Sequence, residues 1–221
     1  MWRRLLMMAT DSAHTATAAI KIGRLIAVEG CDRTGKSTLC ARLAETWPES
    51  ITAVHFPKME GTFTGSVLRT AFKTPFVRSN PRIMHLLFSA NRWELMDFIG
   101  AELAKGKIVV CDRYFGSGLA YSMVKGLDQE WCEGPDRRLI QPDATIYLDA
   151  PLSALMKRKD WGADTVFETE EFQSKLIPIY DKLAREKRWT RIDADLLDAD
   201  AVYTLVEGYI FKHQLRLESF V

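Results

Sequence analysis

"RLIAVEGCDRTGKSTLCARL", residues 24–43, decides the fold. An apolar run, Leu25 to Val28, leads into Gly30-x-x-x-x-Gly35-Lys36-Ser37, and a helical pattern follows. This is the spacing of a phosphate-binding loop, in the strand-before, helix-after setting that the motif requires. Gly30 and Gly35 let successive backbone N–H groups turn toward one anion, and the helix beginning near Lys36 adds its positive dipole end. Cys31, Asp32, Arg33, Thr34 and Thr38 complete the cradle. Lys36 can reach the β- and γ-phosphates of a nucleotide, and Ser37 can ligate Mg²⁺.

Outward from this loop, short apolar runs recur at 24–29, 51–56, 107–112, 144–149 and 189–193. Without strict alternation they suit strands buried on both faces of a parallel sheet. Helical segments lie between them. One long helix is expected from Asn80, which can cap it, through Pro81 in its first turn to Lys105-Gly106. Others are expected at 36–46, 151–158, 169–186 and 198–217. The alternation predicts an α/β fold: a doubly wound parallel sheet of about five strands flanked by helices. No repeat, low-complexity tract or Pro/Gly-rich linker divides the chain, so residues 23–221 read as one domain.

The 221 residues can bury a sizeable core without disulfides or metals. A net charge of +1 gives no general reason to expect nucleic acid or a membrane surface as partner. No apolar run approaches the roughly 20 residues that span a bilayer. Cys31, Cys40, Cys111 and Cys132 form no C-x-x-C pair and no zinc spacing with the histidines, which suits a reduced, cytoplasmic chain. Residues 1–22 carry Arg3, Arg4 and Lys21, a single acid and many Ser, Thr and Ala. That composition admits an organellar transit peptide, but a floppy extension is the preferred reading.

The loop alone does not distinguish a GTPase, an ATPase and a kinase. An N-K-x-D guanine reader is missing, and "DFIG" (97–100) falls in mid-helix. Asp32 sits where the nucleotide would repel it unless it has a partner, and a substrate hydroxyl is a good one; an ion pair with the adjacent Arg33 is the bland alternative. Arg33 is placed to neutralise a phosphoryl group in flight, as an arginine finger does. In "LLFSANRWE" (86–94), Phe88 and Arg92 stand four residues apart on one helix face, a stacking plane beside a donor suited to a flat base with carbonyl edges. In "VVCDRYFGSGLAY" (109–121), Asp112 ends a buried strand where a residue serving Mg²⁺ belongs. Arg113 can clamp phosphate, Ser117 and Gly118 offer small contacts, and Tyr121 adds an aromatic wall.

Together these stretches, with "HFP" (55–57), "QPDATIYLDAP" (141–151) and "FETEEFQ" (167–173), resemble the thymidylate kinase family, in the eukaryotic-type form with Arg in the loop. The resemblance implies ATP-dependent phosphorylation of dTMP to dTDP, with Mg²⁺ held through Ser37 and Asp112, and a homodimer. By resemblance, Asp32 holds the dTMP 3′-hydroxyl, and Arg33 acts on the ATP phosphates with Lys36. Phe88 stacks on thymine, Arg92 donates to its carbonyl, and Arg113 bridges the phosphates. Phe56, Pro57, Ser117, Gly118, Tyr121, Phe167 and Gln173 complete the dTMP pocket. "RKDWGAD" (158–164) resembles the lid (about 157–167) that closes over ATP, with Arg158 its phosphate contact.

The chain departs from the pattern in places. The usual Arg two places after "FP" is Met59, with Lys58 one place earlier, and the family's Tyr-Glu after the lid reads Phe167-Glu168. Lys58 is expected to be a weaker substitute, with Arg113 carrying most of the phosphate grip and Arg69 the fallback. The alternatives are a deoxynucleoside kinase, a nucleoside monophosphate kinase of broader specificity, and a P-loop regulator without transfer activity. A nucleoside kinase often places a Glu base at the end of the second strand, where this chain has His55-Phe56-Pro57.

Overall fold

The computed structural model describes residues 23–159, 161–162 and 167–218, with side chains described through Phe211. The expectations for residues 1–22, and those for part of the lid, lie outside the described residues.

Five parallel strands form one sheet: β1 (Arg24–Glu29), β2 (Ile51–His55), β3 (Ile108–Asp112), β4 (Ala144–Asp149) and β5 (Thr190–Asp193). Their order is β2-β3-β1-β4-β5. Every residue of β3 is buried, because helices cover both faces. On one face, α1 (Lys36–Thr46) and α10 (Ala199–Glu218) bury Leu39, Leu43, Val202 and Val206 against Ile26, Val28 and Val110. On the other lie α5 (Met96–Ala104), α6 (Phe115–Val124) and α9 (Glu170–Glu186), which pack through Ile99, Leu119, Leu176 and Tyr180.

Among the described residues there are four further helices, α2 (Phe63–Lys73), α3 (Pro75–Arg78), α4 (Pro81–Glu94) and α7 (Gln129–Asp136), with a short turn α8 (Leu152–Leu155). The sheet is doubly wound, as expected. The chain leaves β1 for one edge and leaves β3 for β4 on the opposite side of β1. Val28 pairs with Asp112 in the β1–β3 register, so the phosphate loop and the Asp112-Arg113 turn emerge side by side at the carboxyl ends, where such sheets bind ligands.

The single long helix expected from Asn80 is two. Asn80 does cap α4, accepting from Arg82 N and Ile83 N at 3.1 and 3.2 Å. Leu95 then leaves the helical region (φ −96°, ψ 1°), and a separate helix, α5, begins at Met96. The break lets Met96 and Ile99 join Leu25 and Val109 in the core, while Phe88 and Arg92 stay on the cavity side. The expected 151–158 helix is limited to α8. Among the described residues, no helix is long and apolar enough to cross a membrane.

Candidate active site

The loop after β1 is shaped by two glycines. At Gly30 (φ +143°) a Cβ would stand 2.4 Å from the Leu148 carbonyl oxygen, so only glycine lets the loop lie this close to β4. Gly35 (φ +94°) turns the chain into α1. The Lys36 ammonium is buried in the loop, donating to the Cys31 carbonyl and to Thr34 Oγ1 (3.2 Å). Burial, reinforced by the charge of Arg113, brings its pKa down to about 8. Thr38 is exposed in the first turn of α1.

Ser37 Oγ donates to Asp112 Oδ2 (2.5 Å), and His55 Nδ1 lies 3.0 Å from the same oxygen. Burial pushes the Asp112 carboxyl up, but His55, Lys36 and Ser37 outweigh it and bring its pKa to about 2. Its Oδ1 is buried with no hydrogen-bond partner among the described residues. An orphaned carboxylate oxygen beside a hydroxyl is a hard-oxygen donor set suited to Mg²⁺. All four cysteines are free and buried, and burial raises their pKa values, so none is a poised nucleophile.

Asp32 and Arg113 form the hinge between this loop and a second space. Arg113 Nη2 donates to Asp32 Oδ1, and Arg113 Nη1 donates to the Gly30 carbonyl (3.0 Å) and to Ser117 Oγ (3.2 Å). Tyr121 OH donates to Asp32 Oδ2 (2.6 Å). Burial alone would raise the Asp32 pKa, but the charges of Arg113 and Lys36 hold it below the ordinary carboxylate value. The adjacent pair Asp32–Arg33 does not form. Arg33 (φ +66°) reaches instead to Glu168, with Nε and Nη2 at 2.8 and 3.2 Å from its two oxygens. Arg158 donates to the carbonyls of Arg33 and Ala194, so it braces the loop's backbone.

The second space is a cavity of about 300 Å³, the scale of a small ligand site. Its lining includes Asp32, Phe56, Pro57, Phe88, Arg92, Arg113, Ser117, Gly118, Tyr121 and Phe167, which the sequence had singled out from five separate stretches. Arg92 is buried against Asp136, with Nη2–Oδ2 at 2.5 Å and Nε–Oδ1 at 3.3 Å. Ser89 Oγ also donates to Asp136 (2.6 Å). Gly118 lies directly beneath the guanidinium: a Cβ there would stand 2.7 Å from Arg92 Nη2. Tyr121 and Phe167 meet edge to face at 5.5 Å.

Two expected contacts lie elsewhere. Lys58 is exposed and outside the lining, because Asn91 fixes its backbone, accepting from Lys58 N (2.7 Å) and donating to Lys58 O (3.0 Å); Met59 lines the cavity in its place. Gln173 is behind the wall, donating to the Phe167 carbonyl (2.7 Å) and lying 3.5 Å from Asp32 Oδ2.

Sequence reading missed the supporting residues Asp136, Asn91 and Glu94, and the lining residues Phe72, Met84 and His85. His85 is held neutral: Nε2 donates to the Cys132 carbonyl (2.9 Å), Ser122 Oγ pairs with Nδ1 (2.7 Å), and burial with the nearby Arg92 lowers its pKa. Asn91 and Glu94 stood inside the quoted "LLFSANRWE", where their polar character was the only signal.

A phosphate cradle that shares Asp32 and Arg113 with a base-sized, aromatic-walled cavity defines a P-loop kinase with a nucleotide-scale acceptor site. The family model for thymidylate kinase matches residues 28–203. The thymidylate kinase of Plasmodium falciparum is 42% identical over 178 residues, covering 79% of this chain and 83% of that protein. That of Schizosaccharomyces pombe is 38% identical over 182 residues, covering 81% and 85%. A solved structure of thymidylate kinase from Candida albicans superposes with a TM-score of 0.76 at 30% identity, covering 87% of this chain and 93% of that one. The chain belongs to the thymidylate kinase family.

Proposed function

We propose that the cavity takes dTMP and the loop takes ATP with Mg²⁺, so that the two phosphates meet between Arg33, Lys36 and Arg113. As a thymidylate kinase, the chain phosphorylates dTMP to dTDP at the expense of ATP. The observation carrying this assignment of residues is that Asp32 and Arg113 line the base cavity while also belonging to the phosphate cradle.

The chemistry is positioning and charge neutralisation. The acceptor oxygen is already anionic, so no general base is needed. Phe88 and Tyr121 sandwich the base, Arg92 donates to its carbonyl, and Asp136 holds Arg92 at the required angle. Asp32 receives the 3′-hydroxyl. Lys36 swings from the Cys31 carbonyl to the ATP phosphates, which replace its weak neutral partners with full negative charge. Arg33 leaves or shares Glu168 to meet the moving phosphoryl group. Ser37 and Asp112 would hold Mg²⁺, which when bound neutralises charge on the phosphates. Arg158 and Glu168, near the two ends of the expected lid, both hold Arg33, where a closed lid would keep water from competing for the phosphoryl group.

A homodimer is supported by Leu86, Trp93 and Trp131, large apolar side chains exposed on and beside the outer face of α4. A reducing compartment such as the cytoplasm suits four free cysteines. A deoxynucleoside kinase is disfavoured because His55, tied to Asp112, stands where that class carries its carboxylate base. Incubation with ATP and either dTMP or thymidine tests the assignment: dTDP should form from dTMP, and thymidine should yield no phosphorylated product. Phosphorylation of thymidine at a comparable rate would contradict it.

A further inference from the structure

We propose that Arg69 supplies the fixed positive charge on the dTMP phosphate that Met59 cannot. This rests on the reading of the cavity as the dTMP site. A phosphate dianion brought beside ATP needs cations whose charge is not already met. Arg33 faces Glu168, Arg92 faces Asp136 and Arg113 faces Asp32. Among the described residues no carboxylate pairs with Arg69; its hydrogen bond goes to the neutral Met59 carbonyl.

The position follows from the backbone. Residues 56–62 leave the end of β2, where His55 is in register with Asp112, so this loop stands at the phosphate end of the cavity. Asn91 fixes its register and leaves the Lys58 side chain outside. Helix α2 is seated directly on it: a Cβ on Gly65 would lie 2.4 Å from the Met59 carbonyl oxygen and 2.5 Å from that of Lys58. Arg69 follows Gly65 by one helical turn, on the same face. Arg69 is exposed and, like Lys58, outside the lining, but its guanidinium is turned to the loop and bonds the backbone carbonyl of Met59, whose side chain lines the cavity.

Glu94 at the end of α4 accepts from Phe63 N (2.6 Å) and Thr64 N (2.8 Å) at the start of α2. The helix carrying Arg69 is thereby fixed to the helix carrying Phe88 and Arg92. One rigid frame then holds a base and a phosphate at set spacing. A guanidinium with one N–H spent on a carbonyl keeps further donors for phosphate oxygens.

The test separates a phosphate grip from a clip that merely holds the loop. Dissociation constants for dTMP and for thymidine, which lacks the phosphate, are measured for the wild type, Arg69→Met and Lys58→Met. Losing one charge-assisted contact should weaken dTMP binding about 10- to 100-fold in Arg69→Met. Thymidine binding should stay unchanged there, and Lys58→Met should alter neither ligand. Equal weakening of dTMP and thymidine would reduce Arg69 to a structural clip and overturn the proposal, as would unchanged dTMP binding. A wild-type enzyme binding neither ligand would overturn the dTMP reading, and this proposal with it.

Discussion

Gly118→Ala adds a single methyl group to the floor of the base cavity and should damage dTMP recognition without unfolding the protein. In the interior of α6 an alanine would ordinarily stabilise by roughly 0.5–1 kcal/mol over glycine. Here the new Cβ would lie 2.7, 3.0 and 3.1 Å from Arg92 Nη2, Nη1 and Cζ, whereas ordinary contact begins near 3.4 Å. The guanidinium must move by several tenths of an ångström. It has no free direction, because both its Nε and Nη2 are held by Asp136 in a buried pair. Either the pair with Asp136 loosens or the donor slides off the base carbonyl, and each outcome forfeits most of one charge-assisted hydrogen bond. That bond is worth about 1.5–3 kcal/mol, or about 10- to 150-fold in kcat/KM for dTMP. A coupled ADP-release assay with dTMP and ATP varied in turn, alongside a melting curve, checks it. KM for ATP and the melting temperature should change little. A Gly118→Ala enzyme within threefold of wild type in kcat/KM for dTMP would show that Arg92 does not read the base from this position.

Three other outcomes follow from the same geometry. Arg33→Ala should lower kcat on the order of 10³-fold while ATP binding, measured by titration calorimetry, is largely kept; a variant with most of its kcat would remove Arg33 from the transfer step. With the Lys36 pKa at about 8 in the free protein against 10.5 ordinarily, that side chain is partly neutral near pH 8.5, and the ATP phosphates should recharge it. ATP binding at that pH should therefore take up protons, seen as a dependence of the calorimetric enthalpy on buffer ionisation, and affinity should fall as pH rises above about 8; the same depressed pKa means the empty protein gains stability from this group between about pH 8 and 10.5, since the unfolded chain then binds more protons. A buffer-independent enthalpy would place Lys36 fully charged in the free loop. Deleting residues 1–22, which carry no motif, should leave kcat and melting temperature nearly unchanged, and lost activity would show that they contribute to the site.

Much of this was legible in the sequence because it rests on local rules. The central strands β3, β1 and β4 are short apolar runs buried along most of their length, the edge strands β2 and β5 only in part, and the loop spacing fixes the first strand and α1. The helices that escaped notice are those whose residues disfavour helix locally. Helix α6 contains Gly116, Ser117, Gly118 and Ser122, small residues present because Glu29, Arg92 and His85 press against them. Its helicity comes from burying Leu119 and Ala120, which only the assembled fold provides. The break at Leu95 was invisible for a similar reason: nothing in Glu94-Leu95-Met96 opposes helix, and the core position of Ile99 imposes the turn. At the site, the residues that line the loop and the cavity carry recognisable chemistry, whereas Asp136 announces nothing in its own neighbourhood. Its partner Arg92 is 44 positions away in the chain. Long-range pairs of this kind, like Arg33 with Glu168, 135 positions apart, become visible only once the chain is folded.

The claim that Arg92 reads a pyrimidine carbonyl is tested most directly by measuring kcat/KM for dTMP, dUMP, dCMP and dGMP with ATP on the wild-type enzyme. Donor would face donor at the N4 amine of dCMP, a mismatch of about 1–3 kcal/mol. dTMP and dUMP should both turn over, dCMP should fall about 5- to 150-fold below dTMP, and dGMP, which offers a differently shaped edge to Arg92, should also fall below dTMP. Comparable kcat/KM for dCMP and dTMP would contradict the assignment of Arg92 and the cavity built around it.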